Sequence, residues 1–144
     1  MSGYRVLHPD DAFWRESNQM GVLNTDLAKQ LEAETLGARL WRLRPGQAST
    51  KHRHPMAHEL YVVLEGTGRI RVDDEVLTLA PLGALLVEPE IVRQPFNDTD
   101  ADQLWLVVSA PPENVTSTLE MSEEQLAMMY PDGPRAMPPE LDGP

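Results

Sequence analysis

Between residues 36 and 109 short apolar runs alternate with polar breaks. Stretches of four to seven residues rich in Val, Leu, Ile, Trp and Tyr are cut by Gly, Pro, Asp and Asn. Runs of this kind bounded by turn residues predict strands over 38–44, 59–64, 68–72, 75–79, 84–87 and 103–109. Asp73-Asp74, set between Arg69-Ile70-Arg71-Val72 and Val76-Leu77-Thr78-Leu79, is a hairpin signal, and Pro81-Leu82-Gly83 is a second turn. No helix-length segment separates these strands. The pattern therefore argues against βαβ units and for an all-β sandwich or barrel over 36–112.

The flanks read differently. Residues 1–35 form a mixed, polar N-terminal arm with two helical signals: His8-Pro9-Asp10-Asp11 opening into Ala12-Phe13-Trp14, and Asn24-Thr25-Asp26 opening into Leu27-Ala28-Lys29-Gln30-Leu31. The second has an acceptable N-cap and two leucines on one face, which suits a short helix. Over 113–130 a C-terminal helical segment is expected. Ser122-Glu123-Glu124-Gln125 is a capping box, Met121 and Leu126 form a hydrophobic staple, and the helix should begin at Glu123. Its stripe of Leu126, Met129 and Tyr130 should pack on the outside of the barrel. Pro131 stops it, and residues 131–144 carry five prolines and no periodicity, a tail expected to be extended or disordered.

Composition narrows the chemistry. A chain of 144 residues supports one core. Twelve Lys and Arg against 23 Asp and Glu leave a net charge of −11, which disfavours nucleic acid and anionic membrane as partners. With no Cys, disulfides, thiolate nucleophiles, iron–sulfur clusters and Cys-type zinc sites are excluded, so a metal must be held by His, Asp or Glu. The first thirty residues are interrupted by Asp10, Asp11, Arg15, Glu16 and Asp26, unlike a signal peptide or spanning segment, and a cytoplasmic location is expected. Asn97-Asp98-Thr99 and Asn114-Val115-Thr116 match the glycosylation pattern but carry no weight without a secretory signal.

Three of the four histidines, His52, His54 and His58, fall within seven residues, with Glu59 immediately after. On an extended segment His52 and His54 point to the same face. Beyond Pro55, Glu59, Tyr61 and Val63 share one face of the next strand, and Leu60, Val62 and Leu64 share the other. If the first face is the inner one, two imidazoles and a carboxylate converge. That ligand set suits Fe(II), Mn, Ni or Zn with coordination positions left open, and a cation removes the cost of burying the groups unpaired. His58 then points away, to the surface or an interface. Tyr61 is either a core aromatic or a catalytic general acid/base lining the cavity. Arg69 and Arg71 alternate with Ile70 and Val72, as on a solvated edge.

Gly46, His52, His54, Glu59 and Gly66 match G-x5-H-x-H-x4-E-x6-G, the first motif of the cupins, with every spacing kept. Pro81, Gly83 and Asn97 match the second motif, P-x-G followed by a strand and H-x3-N. The chain resembles that family, and the resemblance implies a double-stranded β-helix (jelly-roll) barrel, a homodimer, and a divalent transition metal in the mouth of the cup. Family members include dioxygenases, isomerases and decarboxylases, and also sugar- or small-molecule-binding domains. Arg93 stands where the family places its fourth ligand, a histidine. A guanidinium is no metal ligand at neutral pH. It would either bind the carboxylate or phosphate of a small anionic substrate, or pair with Glu59 or Glu90 and replace the metal in a non-catalytic binding cup. The outward Leu60, Val62 and Leu64 offer a surface for dimerisation.

Overall fold

The computed structural model describes residues 3–113 and 120–141. The Asn114-Val115-Thr116 pattern and the last three residues of the Pro-rich tail lie outside the described residues. Among the described residues, nine strands and two short α-helices run in the order β1 (Trp14–Glu16), β2 (Leu23–Asp26), α1 (Leu27–Gln30), β3 (Gly37–Leu43), β4 (His58–Glu65), β5 (Gly68–Val72), β6 (Glu75–Leu79), β7 (Ala84–Val87), β8 (Arg93–Phe96), β9 (Gln103–Ala110) and α2 (Glu123–Met129). They make two antiparallel sheets, β1-β2-β3-β9-β4-β7 and β6-β5-β8. The segment before β4 extends the second sheet: Ala48 bridges Phe96 and His52 bridges Arg93. This is the double-stranded β-helix the sequence led us to expect, and all six expected strands are present.

The core is built from inward positions of both sheets: Leu43 on β3, Tyr61 and Val63 on β4, Ile70 on β5, Val87 on β7, and Trp105 and Val107 on β9. Along β4 burial alternates strictly from His58 to Val63, with Glu59, Tyr61 and Val63 buried and His58 and Leu60 exposed, so the expected face is the inner one. The two glycines of the first motif have separate reasons to be glycine. Both Gly46 and Gly66 have positive φ (86° and 76°), and a Cβ on Gly66 would lie 2.2 Å from the Asp102 carbonyl oxygen.

Three strands were not visible in the pattern. Trp14–Glu16 lies where the first helical signal was read; the chain instead makes a 3-10 turn at Pro9–Asp11 and then pairs with β2. β2 reads Leu-Asn-Thr-Asp, and its buried Asn24 and Thr25 break any apolar alternation. β8 reads Arg-Gln-Pro-Phe and is buried at every position. Because β8 flanks β5, that strand is the middle of its sheet and not an edge. Its outward arginines are held by ion pairs, Arg69 with Asp98 at 3.0 Å and Arg71 with Glu140. The second helical signal is a helix as expected, with Asp26 as N-cap accepting from the Lys29 amide at 2.9 Å.

The C-terminal segment crosses the end of the cup. Ser122 and Gln125 form the reciprocal capping box, and the helix starts at Glu123. Arg53 ties α2 down, its amide to the Met129 carbonyl at 2.9 Å and its Nε to the Met128 carbonyl at 2.6 Å. Met129 and Tyr130 therefore line the cup's cavity, where a stripe packed on the outside of the barrel had been expected. The tail that follows lies along the second sheet. Gln94 Nε2 donates to the Ala136 carbonyl at 2.8 Å, and Glu140 pairs with Arg71.

Candidate metal centre

His52 and His54 sit on the segment that bridges β8, and Glu59 sits on β4 of the other sheet, so the three meet where the sheets face one another. Backbone bonds hold the histidine segment in place: the His52 amide to the Arg93 carbonyl at 3.0 Å, the Arg93 amide back to the His52 carbonyl at 2.9 Å, and the His54 amide to the Pro89 carbonyl at 2.8 Å. Among the described residues His52, His54 and Glu59 form a cluster whose ligand atoms all lie within 4.8 Å of one another.

Each ring is anchored through Nδ1. His52 Nδ1 lies 2.9 Å from the Thr50 carbonyl oxygen and His54 Nδ1 lies 3.2 Å from Glu113 Oε2. Both partners only accept, so Nδ1 carries the proton in each ring and Nε2 carries a lone pair in the neutral form. Both Nε2 atoms then face one carboxylate oxygen, Glu59 Oε1, at 3.4 Å for His52 and 3.2 Å for His54. The His54 Nε2 is buried without a hydrogen-bond partner. Three lone pairs directed at one point repel unless a cation sits among them. Ligands about 2.1 Å from a common ion, at angles between octahedral and tetrahedral, are roughly 3.0–3.4 Å apart. The donor set and the two Nε2–Oε1 spacings, 3.4 and 3.2 Å, fit a divalent transition ion.

Glu113 was not singled out in the sequence. It follows Pro111-Pro112 beyond the last strand, with no periodicity to mark it. Besides His54 it accepts from the amides of Met56 (3.2 Å) and Ala57 (2.8 Å), which fixes its carboxylate and, through it, the ring.

The other two expected site residues are also at the cluster, in different parts. Tyr61 is fully buried and donates its hydroxyl to Glu59 Oε1 at 2.8 Å. Burial and the neighbouring Glu59 charge push its pKa well above the usual tyrosine value, so it stays a donor and is no base near neutrality. Arg93 has no solvent exposure and does not line the cavity. Its Nη2 donates to the Glu88 carbonyl at 2.8 Å, its Nη1 approaches the Pro89 carbonyl at 3.5 Å, and its Nε lies 3.9 Å from Glu59 Oε1 with no hydrogen-bond partner. The substrate-binding role expected for Arg93 does not fit this position, because the guanidinium is turned into the wall of the cup behind Glu59. His58 is exposed on the opposite face of β4 and takes no part.

The electrostatics follow from the packing. Burial alone would raise the Glu59 pKa, but His52 and His54, which in their protonated forms set an Nε2–H and a positive charge beside its carboxylate, hold it well below the usual carboxylate range. Burial alone would lower the His54 pKa, but the Glu59 and Glu113 carboxylates more than offset it and the pKa is raised. The cluster opens into a cavity of about 820 Å³ between the sheets, large enough for a small organic ligand. Trp41, Trp105 and Val107 make much of its apolar wall, and Met129 and Tyr130 close one side.

Residues 39–109 match the family model described as a cupin domain. No curated protein matches the chain. Solved structures do. A sugar phosphate isomerase from the cupin superfamily of Silicibacter pomeroyi is 19% identical, with a TM-score of 0.68 over 84% of this chain and 99% of that one. KdgF from a Halomonas species is 16% identical, with a TM-score of 0.66 over 76% and 96% of the two chains. A predicted oxalate decarboxylase from Thermotoga maritima is 17% identical, with a TM-score of 0.66 over 75% and 100%. At these identities the likeness is one of fold, and it agrees with the two-sheet architecture and with the family match. The chain is a small protein of the cupin superfamily, with its cupin domain at residues 39–109.

Proposed function

We propose that this protein binds one divalent transition metal ion (Fe, Mn, Ni or Zn) through His52, His54 and Glu59, and acts on a small anionic molecule held in the adjoining cavity. The observation that carries this reading is the convergence of two imidazole Nε2 atoms on a single buried carboxylate oxygen. Such an ion, with three protein ligands, supplies Lewis-acid polarisation of an oxygen-bearing substrate or oxygen activation. The chain's own residues prepare the site. Thr50 and Glu113 set the tautomers, and Tyr61 orients Glu59 by donating to it, a positioning part in place of direct acid/base catalysis. Dioxygenase, isomerase and decarboxylase chemistry all fit such a centre, and the sugar phosphate and oxalate in the names of two structural neighbours are both small anions. A second copy of the chain is the expected partner; exposed Leu60 and Leu86, opposite one another on β4 and β7, give it an apolar face.

The test is metal analysis of full-length protein prepared without tag or chelator, then incubated with Mn(II), Ni(II) or Zn(II) and desalted. One equivalent per chain is expected, and none for the His52→Ala/His54→Ala double variant. Wild type that retains less than a tenth of an equivalent of every ion overturns the reading. It would favour instead the metal-free binding cup, for which the Arg93 guanidinium beside Glu59 already provides a compensating charge.

Glu113→Gln should keep the fold yet weaken metal binding about 10- to 100-fold, because the amide no longer fixes the His54 ring as a charged acceptor does. Titration calorimetry with Ni(II) reads this directly. An unchanged dissociation constant would show that Glu113 serves only the loop at Met56 and Ala57.

A further inference from the structure

We propose that Arg39, supported by Lys29 and Arg15, is the anion anchor of the cup, and that the natural ligand is a small organic acid or phosphate ester with an apolar body. This deepens the reading above and rests on it only for the end of the ligand that would face the His52–His54–Glu59 cluster. The chain has 12 cationic residues in 144 and a net charge of −11, yet Arg15, Lys29 and Arg39 all line this one cavity. Asp26 is the carboxylate placed among them; the cavity's other two, Glu59 and Glu113, are committed to the histidines.

Arg39 is held as a recognition residue would be. Its Nη2 pairs with Asp26 Oδ2 at 3.0 Å and its Nη1 donates to Asn24 Oδ1 at 2.9 Å. Neither partner is free to turn. Asp26 Oδ1 caps α1, and buried Asn24 spends its amide on the Arg15 and Val22 carbonyls, both at 3.1 Å. Two of the five guanidinium donors are thus used to fix the group, which lies 5.9 Å from the Trp41 ring centroid, and the others have no hydrogen-bond partner among the described residues. An exposed Arg–Asp pair alone is worth little. A guanidinium pinned by a buried amide, with donors left over at the edge of a cavity, suits bidentate binding of a carboxylate or phosphate.

Sheet register gives the ligand its length. Arg39, Val107 and Tyr61 stand in one row across β3, β9 and β4, and Gly37, Ser109 and Glu59 stand in the next inward row. Adjacent strands lie about 4.8 Å apart, so Arg39 and the cluster are roughly 10 Å apart across the sheet. Gly37, Ser109 and Val107 line the interval between them, and Trp41 and Trp105 line the cavity in the row on the other side of Arg39. An acid group at Arg39, an apolar middle and an oxygen donor at the cluster describe the molecule that fits.

The test uses the full-length protein stripped with EDTA and two fluorescent probes of similar shape, anilinonaphthalene sulfonate and uncharged phenylnaphthylamine. Arg39→Gln should weaken the sulfonate about tenfold or more and leave the neutral probe within about twofold. Arg39→Lys should recover part of the loss, and benzoate or phenyl phosphate should displace the sulfonate from wild type. Equal sulfonate binding by wild type and Arg39→Gln, or parallel loss of both probes, overturns the proposal. Re-addition of Ni(II) separates it from the metal reading. A variant that takes up Ni(II) like wild type but has lost the sulfonate supports the anchor. Wild type that takes up no Ni(II) yet shows Arg39-dependent sulfonate binding removes the metal reading and leaves the anchor standing.

Discussion

Glu59→Gln is expected to abolish stoichiometric metal binding and, in the metal-free protein, to cost about 3–5 kcal/mol of stability, the scale for removing one partner of a buried charged cluster. The amide is nearly isosteric, so the loss is one of charge. It removes the only anionic ligand, replaces the charged acceptor of the Tyr61 hydroxyl by a neutral one, and takes away the carboxylate that faces the buried Arg93 guanidinium. The stability gap between wild type and variant should depend on pH in a way the geometry dictates. The Glu59 pKa is depressed in the fold, so its contribution is present in full above the unfolded value near 4.5 and is lost as pH falls through the lower folded value. The His54 pKa is raised, so its contribution is present below the unfolded value near 6.5 and is lost as pH rises through the folded value. The two overlap between about pH 4.5 and 6.5, where urea denaturation of the metal-free proteins should show the largest gap. Above that window the gap should narrow as His54 loses its proton and the lone pairs at Glu59 face one another unrelieved. A gap that widens steadily up to pH 9 would mean that the histidines do not depend on Glu59 and that the cluster is not a coupled unit.

Where the apolar pattern is regular the sequence was readable to within a residue or two. On β4 alternation leaves two faces to choose between, and the inner one is the face of Glu59, Tyr61 and Val63, the condition on which convergence of the cluster depends. The cluster itself was legible from the same alternation. Two histidines at i, i+2 must share a face if the segment is extended, and the bridge to β8 keeps it extended. Hidden from the pattern were elements stabilised by buried polar groups. Asn24 and Thr25 in β2 and Arg93 and Gln94 in β8 are buried because their hydrogen bonds are met: Arg15 and Val22 carbonyls for Asn24, the Gln30 side-chain amide for Thr25, the Glu88 carbonyl for Arg93, and the distant Ser49 and Ala136 carbonyls for Gln94. No local periodicity encodes such partners. Glu113 and Arg39 carry no signal of their own and Tyr130 reads as part of an outward stripe, since each joins the cup only through strand order and chain reversal. Arg93 stands out in the sequence as the departure from the motif, open to either ligand binding or a pairing with Glu59 or Glu90; the fold turns its donors towards Glu88 and Pro89 and leaves its Nε 3.9 Å from Glu59.

That orientation leads to the second large effect. Arg93→Met should destabilise the metal-free protein by about 3 kcal/mol and at the same time tighten metal binding by about tenfold or more. The destabilisation comes from the Glu88 and Pro89 carbonyls each losing their guanidinium donor, which leaves them only the Ile91 and His54 amides, and from Glu59 left with less positive charge around it. The tightening comes from the same removed charge. Arg93 Nε lies 3.9 Å from Glu59 Oε1, so any cation that uses this oxygen shares it with a buried guanidinium at close range. An ion about 2.1 Å from Oε1 would lie within about 6 Å of Arg93 Nε, where two unit charges interact by about 3 kcal/mol at an effective dielectric near 20, and half of this already reaches the 1.4 kcal/mol that separates tenfold affinities. Opposite signs in the two readouts are what distinguish this from general damage, since a variant that merely loosened the cup would lose stability and metal together. Arg93→Lys supplies the control: it keeps a charge in the wall while losing the planar fork, so stability should fall and metal affinity should stay near wild type. Calorimetric titration with Ni(II) on the three proteins decides the matter. Equal affinity in wild type and Arg93→Met would show that the guanidinium is screened from the ion, and that its place beside Glu59 serves the fold alone.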